Sequence, residues 1–104
     1  MTAEDFEMVC VQIITNSGSA KSSYIEAIQK AKEGAADEAQ RLMEEGDQFY
    51  LEAHEAHASL LTQEASGEKV AFSLILVHAE DQMASTEMAK VLAREFIELY
   101  HKQS

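Results

Sequence analysis

His78 follows the apolar run Leu74-Ile75-Leu76-Val77, and Asp81 stands three residues beyond it. On a helix that spacing sets an imidazole and a carboxylate side by side on one face. Near neutral pH an imidazole is an uncharged nucleophile that can take up a group and pass it on. In a helix interior it has no free backbone N–H groups beside it, because those belong to helix N-termini. An anion carried at His78 must then be met by side chains, a neighbouring subunit or a partner. A histidine hydrogen-bonded inside a bundle fits the same residues, and spacing alone leaves both readings open.

Asp81 is in phase with an apolar seam. Leu74 and Met88 lie seven residues to either side, and Val77 and Ala84 flank it at heptad-like spacing. A carboxylate in such a seam is costly unless it is paired, protonated or metal-bound. Copies of it meeting on a symmetry axis would repel and would need shared protons or an oxygen-preferring cation such as Mg²⁺. The other reading is a solvated groove, and the pattern does not separate the two. Elsewhere, His54 and His57 stand in Glu-Ala-His-Glu-Ala-His, one residue short of the His-Glu-x-x-His zinc pattern. A solvated face or a satisfied inter-helix histidine is the better account of them. His101 reads as a helix-end charge. Cys10, the one cysteine, sits in an apolar stretch as a small core residue. No phosphate loop, dinucleotide fingerprint or nucleophile elbow is present.

These residues need helices to position them. The chain has no proline, only four glycines, and much alanine, leucine, glutamate and glutamine, a helix-forming composition. Thr2 with Asp5 forms a capping-box pattern, and Phe6, Val9, Cys10, Ile13 and Ile14 recur at helical spacing. Asn16-Ser17-Gly18-Ser19 predicts a short break or kink before the stripe resumes at Tyr24 and ends at Gly34. A second helix is expected from about residues 35–37 to Ser66-Gly67, with Gly46 as an interior cost or a point of close approach. A third is expected from Lys69 to Lys102. Its first half, from Val70 to Ala79, is apolar almost all round, so it should be buried within the subunit and against other subunits. Short connections give an antiparallel three-helix bundle, all-α, with residues 1–104 as a single domain.

Composition narrows the partners. Eight basic against nineteen acidic residues give a formal charge of −11. Nucleic acid and anionic membrane surfaces are therefore poor partners, and a basic protein is a better one. No run approaches the ~20 apolar residues of a membrane span. The acidic N-terminus lacks the basic start of a signal peptide, and a lone cysteine suits a reducing compartment. A cytoplasmic location is expected.

Several stretches in order resemble one family. They are Ile-Ile-Thr-Asn-Ser-Gly-Ser-Ala-Lys-Ser at 13–22, Glu52-Ala53-His54, Glu64-Ala65-Ser66-Gly67-Glu68, Leu76-Val77-His78-Ala79-Glu80-Asp81 and Phe96-Ile97-Glu98-Leu99-Tyr100. Together they resemble the enzyme IIA component of the lactose/cellobiose (N,N'-diacetylchitobiose) class of the bacterial sugar phosphotransferase system. The resemblance implies a three-helix subunit assembling into a homotrimer. It implies that His78 is phosphorylated by HPr and passes the group to a cysteine of enzyme IIB, driving uptake of a disaccharide through the membrane component IIC. It also implies that Asp81 is a buried interface aspartate able to share a divalent cation, Mg²⁺ or similar, across three subunits. The apolar surroundings of His78, with Met83, would exclude water. Two positions depart from the expected His-x-Gln-Asp-His. Glu80 adds a charge near His78 and should point away or be paired. Gln82 can hydrogen-bond but cannot become cationic. The competing reading is a non-catalytic helical oligomeric interaction or regulatory module.

Overall fold

A computed structural model describes residues 1–103. They form three α-helices and no strand: α1 (Ala3–Lys32), α2 (Ala36–Ala65) and α3 (Leu74–Gln103). Helix α1 opens on the capping box read from the sequence. The Asp5 N–H donates to Thr2 Oγ1 at 3.0 Å, and the Thr2 N–H donates to Asp5 Oδ2 at 3.1 Å. The backbone hydrogen bond from Thr2 holds the Asp5 carboxyl below its usual range.

Helices α1 and α2 stop by the same device. Gly34 and Gly67 have φ of 81° and 94°, the left-handed region that glycine enters without a Cβ clash. The Gly34 N–H donates to the Ala31 carbonyl and the Ala35 N–H to that of Lys30. The Gly67 N–H donates to Glu64 and the Glu68 N–H to Gln63. Both are Schellman motifs, which satisfy the last carbonyls of the helix.

The bundle runs up, down, up and measures 53 × 20 × 18 Å. Its direction follows from who meets whom. Cys10 shares a buried cluster with Leu60 and Ala79, and Tyr24 shares another with Leu42, Met43 and Ala93. Thus α1 and α3 run parallel, with α2 antiparallel to both. Helix α3 buries only Ala79, Thr86 and Ala93, small residues seven apart that let its backbone lie close to α1. The Thr86 hydroxyl, wholly buried, lies 2.9 Å from the Ser17 carbonyl of α1 and 2.8 Å from that of Gln82 one turn back.

Three expectations are corrected. No break occurs at Asn16-Ser17-Gly18-Ser19, since α1 is continuous from Ala3–Lys32. Ser17, Ala20 and Ser23 turn inward there as small residues against α3 and α2, and packing overrides their weak helix propensity. Helix α3 starts at Leu74, not Lys69. Ser73 caps it, taking the Leu76 N–H on Oγ (3.3 Å) and the Val77 N–H on its carbonyl (3.1 Å). Finally, the apolar run into α3 is only partly buried in the chain: Ile75, Leu76 and Ala79 pack on the core, whereas Phe72 and Leu74 are 88% and 85% exposed.

Candidate functional site

His78 is the fifth residue of α3. With the helix beginning at Leu74, it lies in the second turn, near the positive end of the helix dipole, and not deep in a helix interior. That end favours an anion, though the effect fades beyond the first turn. The ring is exposed, and among the described residues it has no hydrogen-bonding or ionic partner. The alternative of a histidine bonded within the bundle is thereby removed. A surface imidazole of this kind is open to attack on, or by, a partner.

Asp81 is exposed on the same face. So are Leu74, Val77, Met88 and Val91 and Ala84, which together with Asp81 follow one another at alternating three- and four-residue steps. That is the spacing of a coiled-coil seam. Leu92, Phe96 and Leu99 widen it towards the C-terminus. Helix α3 thus buries small residues, with Ile75, Leu76, Met83 and Ile97 packed beside them, and leaves a second stripe of large apolar residues outward. The carboxylate of Asp81 stands alone in that stripe. Among the described residues no three His, Cys, Asp or Glu groups come together to hold a metal, so one chain does not form a cation site.

Glu80 is paired, as its charge required. Its Oε2 lies 3.0 Å from His57 Nε2 on α2. His57 is therefore an inter-helix histidine, whereas His54 is exposed with its ring edge-on to Tyr50 at 6.3 Å. The His-Glu-Ala-His spacing sends the two imidazoles to different neighbours. Gln82 is half-buried and Met83 packs on the cluster of Cys10, Ile13 and Leu60. Met83 therefore does not cover His78 within one chain. A helix turns by about 100° per residue, so five positions separate the two faces. Cys10 is buried, and burial, then the charges of Glu7 and Glu80, raise its thiol pKa. It is an inert core residue.

At the other end, a network crosses all three helices. The Tyr24 hydroxyl of α1 donates to Asp47 Oδ1 at 2.7 Å. Lys90 Nζ of α3 lies 3.1 Å from the same oxygen and 5.4 Å from the Tyr50 ring centroid. Nothing in the sequence announced these partners, because each pairing joins residues far apart in the chain.

The fold and this face define a helical subunit that offers a surface histidine beside an unpartnered apolar seam. The family described as PTS system, lactose/cellobiose-specific IIA subunit, matches residues 8–101, and the chain belongs to it. The lactose-specific EIIA component of Staphylococcus epidermidis is 36% identical over 104 residues, covering 100% of both chains. The crystal structure of the cellobiose-specific enzyme IIA of Bacillus anthracis superposes with a TM-score of 0.93 at 41% identity, covering 99% of this chain and 93% of that one. A chain from the IIA(Chitobiose)–HPr complex of Escherichia coli gives a TM-score of 0.82 at 34% identity, covering 94% and 95%. The chain is thus a component of a sugar phosphotransferase system. No described helix is long and apolar enough to cross a membrane.

Proposed function

We propose that His78 is the phosphoryl carrier. A ring nitrogen of neutral His78 attacks the phosphorus of phospho-HPr. The new N–P bond forms as the donor's N–P bond breaks, and the donor imidazole leaves. A cysteine thiolate of enzyme IIB then attacks the same phosphorus, forming an S–P bond and releasing His78, which drives uptake of a disaccharide. Phosphoryl transfer asks mainly for positioning and charge stabilisation. The observation that carries this reading is the exposed, unpartnered imidazole in the second turn of α3. The relative solved with HPr makes that protein the natural donor.

The assembly belongs to the same proposal. Three copies packed through the Leu74, Val77, Ala84, Met88 and Val91 seam would form a homotrimer and bring three Asp81 carboxylates to one axis. A set of three carboxylates suits Mg²⁺ or a similar oxygen-preferring cation, which would offset their repulsion. A neighbouring subunit would also supply the cover over His78 that one chain lacks, limiting hydrolysis.

The test is intact mass after incubation with enzyme I, HPr and phosphoenolpyruvate, with His78→Gln alongside. One acid-labile phosphoryl group on the wild type and none on the variant is the expected result. No label on either protein, with HPr shown to be charged, would leave a non-catalytic helical interaction module.

A further inference from the structure

The end of the bundle that carries His78 is short of positive charge. Residues 1–20, 42–68 and 70–89 contain no lysine or arginine, and Lys69 alone separates the last two of these stretches. Glu7, Glu52, Glu55, Glu64, Glu80 and Asp81 are all there. A phosphoryl group adds about two further negative charges. Glu80 is the acid two residues from His78, and the structure holds it 3.0 Å from His57. The His57 side chain is 17% exposed and that of Glu80 is 53% exposed, so the covered imidazole fixes where the freer carboxylate goes. Among the described residues this is the one side-chain hydrogen bond or ion pair joining α2 to the first two turns of α3; Lys90 and Arg94 bridge to Asp47 farther along.

We infer that His57 is a positioning residue for phosphoryl carriage: its hydrogen bond keeps the Glu80 carboxylate against α2 and away from the group carried on His78. This rests on His78 being the carrier. The groups around the pair are Glu64 from α2, which shares a cleft of about 210 Å³ with both residues, and Cys10 from α1, whose thiol feels the charge of Glu80 and also that of Glu7. None of them is cationic, so His57 is the one group there that holds the carboxylate. His57 therefore bears on carriage at His78 through the place of Glu80, without touching the phosphoryl group.

The experiment measures the initial rate of His78 phosphorylation by limiting phospho-HPr, at one fixed pH, for the wild type, His57→Gln, Glu80→Asp, Glu80→Gln and the His57→Gln/Glu80→Gln double variant. His57→Gln frees the Glu80 carboxylate and should lose roughly three-fold, the size of one charge acting over about 10 Å near a surface. It should lose nothing further when Glu80 is already Gln, because no carboxylate is left to place. A His57→Gln loss that persists unchanged in the Glu80→Gln background, or no loss at all, overturns the inference and leaves His57 a packing residue. Glu80→Asp keeps the charge but falls one methylene short of His57 and should lose a similar factor, so the test stands even if His57→Gln folds poorly. Absence of label on the wild type itself would refute the carrier reading and this inference with it, whereas label without the coupling refutes this inference alone.

Discussion

Gly46 shows how much one hydrogen atom decides. A Cβ built there would lie 2.6 Å from Tyr24 Cε1 and 2.8 Å from Cδ1. The ring cannot swing away, because Tyr24 is fully buried and its hydroxyl is bound to Asp47, the residue next to the glycine. Gly46→Ala gains about 1 kcal/mol of helix propensity yet overpacks this contact, and a net loss of about 2 kcal/mol is expected. A urea midpoint equal to that of the wild type would show that the ring yields. The same scale explains Ser17. Its Oγ is buried without a partner, so its value lies in its small size against α3 and not in a hydrogen bond. For His78 the sequence identified the residue, but only the position of the helix start, four residues before it, revealed how open it is.

Among elements, α3 depends on its first turn and α2 on its tie to Tyr24. Ser73 takes two backbone N–H groups at the start of α3. Ser73→Ala should cost about 1 kcal/mol in thermal unfolding and should speed amide exchange in the residues leading to His78 ahead of the rest of the helix. Uniform exchange along α3 would mean that the cap does not hold this turn. The start was missed in the sequence because Val70, Ala71 and Phe72 continue the apolar run through it. At the other tie, burial, followed by the hydrogen bond and charge of Asp47, pushes the Tyr24 hydroxyl far above its usual value. A folded pKa above the unfolded one, about 10, contributes stability that is complete below that pH and lost as pH rises past it. Burial and Glu87 raise Tyr50 in the same direction. Tyr24→Phe should thus be less stable at neutral pH by about 2 kcal/mol, for the lost bond to a charged group. It should also lose stability less steeply above pH 10, as followed by denaturant titrations at several pH values. An unchanged slope would assign the alkaline loss to Tyr50.

At the scale of the whole molecule, the outer face of α3 is the unfinished surface. Val77, Met88, Val91, Leu92, Phe96 and Leu99 are 42–59% exposed, a stripe of the kind that marks an association face. If three copies close on it, their Asp81 carboxylates meet, and Asp81→Leu replaces mutual repulsion with apolar contact. Sedimentation equilibrium should then give a trimer for the variant, with a melting temperature equal to or above that of the wild type and insensitive to EDTA. Dissociation into monomers would mean that a bound cation, and not the seam, is the main support of the assembly.

What the sequence by itself determined is local in origin. Composition, the capping box, the two turn glycines and the 3.6-residue periodicity specify three helices, and neighbouring residues alone carry that information. The His78-Asp81 spacing and its heptad phase were legible for the same reason. The tertiary structure decided what depends on contacts between distant segments. It kept α1 continuous through Asn16-Ser17-Gly18-Ser19, because small residues packed on neighbouring helices outweigh weak propensity. It placed Glu80 on His57, twenty-three positions away, and it left one of the apolar stripes of α3 outward, because Ala79, Thr86 and Ala93 are the residues that fit against α1. Periodicity tells that a helix has an apolar face; only packing tells which face the chain itself can cover.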